Sequence, residues 1–175
     1  MSLDPFLNKL NVLIEEYDIR SLILGLQSGH KPIPFKQALA EIVLEIEEFL
    51  PHLTEEKIKL EFEMRMEHLW KEVQVHKDEL LKKLLEMKNE SIEEQLIKSQ
   101  HRLDYFLTGL TLAGGYQSQN ESDGTDMIEE LEDLIIDIDE HIAAKDEMDD
   151  KEWEDETKDL LIDIHELWAE TISFL

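Results

Sequence analysis

Carboxylates dominate the chemistry available to this chain. Glu152, Asp155, Asp159, Asp163, Glu166 and Glu170 follow one another at steps of three, four, four, three and four residues. On a helix that spacing makes one continuous stripe. Upstream, Glu129, Glu130, Asp133, Asp137 and Glu140 occupy the arc opposite a Leu/Ile stripe. A solvated helical face ordinarily places Lys or Arg four residues from each acid, for a few tenths of a kcal/mol per pair. Here like charges stack instead, and the last of them sit toward a helix C-terminus, where the macrodipole disfavours anions. Six carboxylates over 18 residues cover about 27 Å, or ~4.5 Å of axis each. A DNA strand carries a phosphate roughly every 3.4 Å. The stripe is a slightly diluted phosphate row. These eleven residues are expected to bind a basic protein surface, as a nucleic-acid mimic or inhibitor does; the plain alternative is a solvated face that only keeps a structural bundle soluble.

A metal-dependent enzyme is the competing expectation. Glu129-x-x-Glu132 and Glu156-x-x-Asp159 resemble the carboxylate pairs that all-α nucleoside triphosphate pyrophosphatases carry on successive helices. The resemblance implies Mg²⁺ held through oxygen ligands and nucleotide pyrophosphohydrolysis. Against it, such spacings arise by chance in so acidic a stretch, and Glu129 lies about 100° around the helix from the apolar Ile128. A di-iron centre needs Glu-x-x-His on two helices, and none of the seven histidines has Glu three positions before it. Asp137, His141 and His165 form the remaining metal possibility, with a surface imidazole beside carboxylates as the plainer explanation. No phosphate-binding glycine loop, nucleophile elbow or zinc motif is present. The expectation is a non-enzyme, without cofactor or catalytic residue.

Composition sets the frame. The 175 residues hold 17 Lys and Arg against 43 Asp and Glu, a net charge of −26. A surface this anionic repels nucleic acid and anionic membranes and attracts cations. The acidity is local: from Glu121 to Glu170 there are 22 acids and three bases, Lys145, Lys151 and Lys158. A halophilic style of solubility acidifies the whole surface, which this distribution does not do. With Glu45, Glu47, Glu48 and Glu63, the N-terminal part offers a comparison set expected to be inert in binding. There is no cysteine, so disulfides and thiol chemistry are excluded and a reducing compartment fits. Met1-Ser2-Leu3-Asp4-Pro5 lacks the basic and apolar regions of a secretory signal, and a cytoplasmic location is expected.

The elements that must position these acids read as helices throughout; no stretch alternates as a strand. Asp4-Pro5 caps a first helix carrying Phe6, Leu10, Leu13 and Tyr17. Asp18 restarts the chain through Leu26, and a Gly/Pro loop follows at 28–34. A broad stripe from Phe35 to Leu50 stops at Pro51. Thr54 caps a long helix to about Lys88 with His76 in its apolar seam. Ser91 and Glu94 form a capping box for a helix ending at Gly114-Gly115. Residues 116–125 read as a flexible polar loop, and 126–175 as an acidic helical hairpin packed on a 1–115 body. The whole is expected to be one all-α domain, an antiparallel bundle of six or seven helices.

One internal echo stands out. Leu22-Ile-Leu-Gly-Leu26 and Phe106-Leu-Thr-Gly-Leu110 each place a glycine inside an apolar helix, at about 1 kcal/mol relative to Ala, which points to a close helix crossing. The second copy with the acidic pair after it resembles, over the last third of the chain, the YgfB/YecA group of uncharacterised bacterial helical proteins. The tryptophans usual near that group's first Gly-Leu helix are missing here, and nothing is carried over from it.

Overall fold

Helical spacing of apolar residues becomes helix wherever a cap or a breaker permits. A computed structural model describes residues 2–31, 33–87, 89–115 and 121–175, with backbone only for 121–126. Among them lie seven α-helices: α1 (Asp4–Leu10), α2 (Glu16–Ser28), α3 (Phe35–Glu45), α4 (Glu56–Lys83), α5 (Ile92–Leu112), α6 (Glu121–Ala143) and α7 (Asp150–Phe174). The fold is all-α, as the periodicity requires.

The boundaries depart from expectation in instructive places. Asn11 turns left-handed at φ 55° and ends α1, so Leu13 leaves the helix and is 89% exposed. Glu15 precedes α2, and Asp18 caps it by accepting the Glu15 backbone N–H at 3.1 Å. After Glu45 the expected third helix breaks into 3₁₀ turns at Glu47–Phe49 and His52–Thr54, which swing Phe49 onto Phe62, ring centroids 4.7 Å apart. Thr54 donates to the Pro51 carbonyl at 3.0 Å and the long helix begins at Glu56. His76 is exposed rather than in the seam. It sits at a kink (φ −111°, ψ 19°) that moves the buried face from Val73 on to Leu81, Leu84 and Leu85. The Ser91–Glu94 capping box forms as expected, with Glu94 accepting the Ser91 N–H at 3.0 Å and Ser91 accepting the Glu94 N–H at 3.2 Å.

The glycine echo is the centre of the fold. A Cβ on Gly25 would stand 2.0 Å from the Phe106 carbonyl oxygen and 2.7 Å from the Leu110 nitrogen. One on Gly109 would stand 2.2 Å from the Leu22 oxygen and 2.8 Å from the Leu26 nitrogen. Each glycine thus faces the residue three before and the residue one after the other glycine, a local two-fold crossing of α2 and α5 with the backbones in contact. This is the most extensive helix pair in the molecule.

The acidic helices are laid on α5. Gln100 donates to Asp139 at 2.9 Å and Lys145 reaches Glu93 at 2.6 Å, so α6 runs back along α5. Trp168 packs edge-on against Phe106, centroids 4.9 Å apart, and its indole N–H donates to the Leu81 carbonyl at 2.9 Å, tying α7 to both α5 and α4. α6 and α7 meet each other near their turn, where Trp153 stacks on His141 at 5.3 Å. Each makes more contact with α5 than with the other. Part of the expected 116–125 loop lies outside the described residues; from Glu121 the backbone is already helical.

Candidate functional site

Burial of one face decides where the acids go. Met127, Leu131, Leu134 and Ile138 of α6 are buried, as are Trp153, Thr157, Leu161, Ile164, Trp168 and Thr171 of α7. These are steps of three and four, the core-facing pattern of an amphipathic helix. Ile128, Ile135, Ile142, Leu160 and Leu167 flank that face and pack partly against the core. All eleven expected binding residues, Glu129, Glu130, Asp133, Asp137, Glu140, Glu152, Asp155, Asp159, Asp163, Glu166 and Glu170, are exposed.

Their pairing differs from that of the body. In α2 and α4 four acids are matched one turn away: Glu16 with Arg20 at 2.6 Å, Glu61 with Arg65 at 2.9 Å, Glu67 with Lys71 at 2.6 Å and Glu79 with Lys83 at 2.5 Å. On α7, Lys158 reaches Glu154 at 2.8 Å and Asp155 at 3.4 Å. Asp155 is the sole member of the eleven with a cationic partner among the described residues. Lys145 is drawn away to Glu93 on α5 and lies over the Trp153 ring at 4.9 Å.

The carboxylates expected of a metal enzyme do not come together. Glu129, Glu132, Glu156 and Asp159 are all exposed, and among the described residues no three His, Asp or Glu side chains converge as a metal-holding group. His141 is held for packing. Thr157 Oγ1 gives its proton to the Trp153 carbonyl at 2.6 Å, so the 2.8 Å contact to His141 Nε2 has the imidazole as donor. Nδ1 then faces Glu156 at 3.8 Å. Asp137 and His165 are exposed and do not join it.

Compared with family models, with curated proteins and with solved structures, the chain matches none. No helix among the described residues is long and apolar enough to cross a membrane.

Sequence reading missed a groove on α5. Two adjoining clefts of about 590 and 550 Å³ share Glu45, Asp104 and Thr108. The first is walled by Leu13, Ile14, Glu15 and Glu48; the second by Leu107, Leu112, Glu132, Ile135 and Ile136. Glu45 and Glu48 therefore belong to a surface feature, and Glu48 also accepts the Leu13 N–H at 2.8 Å. Asp104 reaches solvent, yet burial, with Asp139 adding to it, pushes its carboxyl above the ordinary range. Burial raises the neighbouring Tyr105 hydroxyl as well, with Asp18 contributing. Leu13 gave no signal in the sequence, since it continues the apolar register of Phe6 and Leu10 and leaves the helix only because Asn11 turns left-handed. The groove itself joins residues from four segments and leaves no local pattern.

Proposed function

We propose that this chain is a non-enzymatic cytoplasmic binding protein whose acidic α6 and α7 form a hairpin that docks a basic protein surface in the manner of a nucleic-acid mimic. One observation carries the proposal: among the described residues the eleven exposed carboxylates have no cationic partner apart from Asp155, whereas Glu16, Glu61, Glu67 and Glu79 of α2 and α4 each have one a turn away. Like charges three and four residues apart each cost a few tenths of a kcal/mol. A cationic partner returns that cost on docking, and complementary potentials speed encounter. The same net charge opposes nucleic acid and anionic membranes as direct partners.

The test is capture from native lysate at about 50 mM and about 500 mM salt. The bait is the full chain, beside a variant carrying Asp155→Asn, Asp159→Asn, Asp163→Asn and Glu166→Gln. A basic protein retained at low salt by the wild type and lost by the variant is the expected result. Equal retention by both, or retention that salt leaves unchanged, contradicts the proposal.

A further inference from the structure

We propose that the groove along α5, between the α3 end and α6, receives an amphipathic helix of a partner protein, apolar on one face and bearing Lys or Arg at its edges. The inference rests on the basic-partner reading and adds where the partner is anchored and in what form. The groove follows α5 from Ile97 to Leu112, about 22 Å, which matches a helix of four turns. The α6 half of the groove is mainly apolar, lined by Leu107, Leu112 and Ile135, and Ile14 and Ile97 continue that strip between the polar residues of the other half. Two apolar residues stand at the groove's edges with little cover, Leu13 at 89% and Ile136 at 54% exposure.

Carboxylates flank that strip on both sides. Glu15, Glu45 and Glu48 stand along one wall, Glu132 along the other, and Asp104 between them. Asp18 and Tyr105 line the first cleft as well, and its cationic neighbours are few. Lys98 is held by Glu90 at 3.0 Å and Glu15 at 3.5 Å, and His101 lines the same cleft. An apolar trough edged by acids is complementary to a basic amphipathic helix, whose i, i+3, i+4, i+7 side chains fill the floor while its flanks meet the carboxylates. A second copy of this chain is a poor occupant, since each carries −26 and repels the other. Asp104 supports the same choice: burial raises its carboxyl, and Asp139 adds to the shift, so a cation seated there offsets the repulsion from Asp139.

The probe is a synthetic peptide of about 18 residues, leucines at helical a and d spacing and lysines elsewhere, beside a scrambled isomer of equal charge. Both are titrated into the full chain by calorimetry and followed by amide NMR. The patterned peptide should bind at least about tenfold more tightly than the scrambled one, with shifts centred on Ile14, Ile97, Thr108 and Ile136. Ile136→Lys, checked for native circular dichroism, should weaken it about tenfold, as should the charge-only pair Asp104→Asn with Glu132→Gln. The α7 variant described above should change it by less than about threefold. Equal binding of both peptides, or shifts centred on α7, overturns the groove and leaves the basic-partner reading standing. If neither peptide binds, both the groove and the basic-partner reading are overturned.

Discussion

Glu16 and Asp104 carry the same functional group and answer pH in opposite directions. Burial alone would raise the Glu16 carboxyl, but the Leu3 backbone N–H, Arg20 and Ser2 outweigh it and hold it below the ordinary value. Its stabilisation is therefore complete above the unfolded value of about 4 and is lost as pH falls through the lower, folded value. Glu16→Gln should cost about 1–3 kcal/mol at pH 7 by urea denaturation, with the gap to wild type closing in acid. Asp104 has the reverse sign. Its raised folded value means that ionisation at neutral pH opposes folding. Asp104→Asn should be more stable than wild type at pH 7, and that advantage should vanish below about pH 4. A destabilised Asp104→Asn at neutral pH would show that its carboxylate is paired. Neither sign is legible in the sequence, because the burial that raises Asp104, with Asp139 adding to it, and the Leu3 N–H that helps lower Glu16 come from parts of the chain far from those residues.

At the scale of elements, the α2–α5 crossing explains why two glycines are spent inside apolar helices. A methyl on either meets backbone of the other helix, and backbone cannot rotate away. Gly25→Ala and Gly109→Ala should each fall at or above the top of the usual 1–3 kcal/mol for overpacking. The double variant should lose less than the two together, since the first methyl already parts the helices for the second. Additive losses would mean that the two glycines do not share one contact. This crossing was legible as a repeated Gly-Leu pattern, and the Ser91–Glu94 cap as a local motif. The kink at His76 was not. The apolar seam of α4 runs smoothly through it in sequence, and only the burial of Leu81, Leu84 and Leu85 beyond the kink shows that the helix changes phase. The grip of α6 and α7 on α5 was hidden for the same reason, since adjacency in sequence suggested that they pair chiefly with each other.

At the scale of the whole molecule, charge is asymmetric: the stretch from Glu121 to Glu170 holds 22 of the 43 acids. Like charges on α6 and α7 repel across distances that salt screens, the Debye length falling to about 8 Å at physiological ionic strength. Raising NaCl from about 10 mM to about 300 mM should therefore raise the melting temperature. A flat or falling response would mean that these acids already have partners within the fold. Exposure of the acids and their shortage of cations followed from the sequence, whereas the loss of Lys145 to Glu93 on α5 needed the fold.

The most direct measurement is the salt dependence of affinity for a basic partner protein, taken for three full-length chains. These are the wild type; the α7 variant with Asp155, Asp159, Asp163 and Glu166 as amides; and a control with Glu47→Gln, Glu55→Gln, Glu63→Gln and Asp78→Asn. Both variants lose four charges. If α6 and α7 are the docking surface, the α7 variant binds weakly with a flattened slope of log K against log salt, and the control stays near wild type. Equal weakening of both variants would contradict a localised surface and leave only a diffuse polyanion.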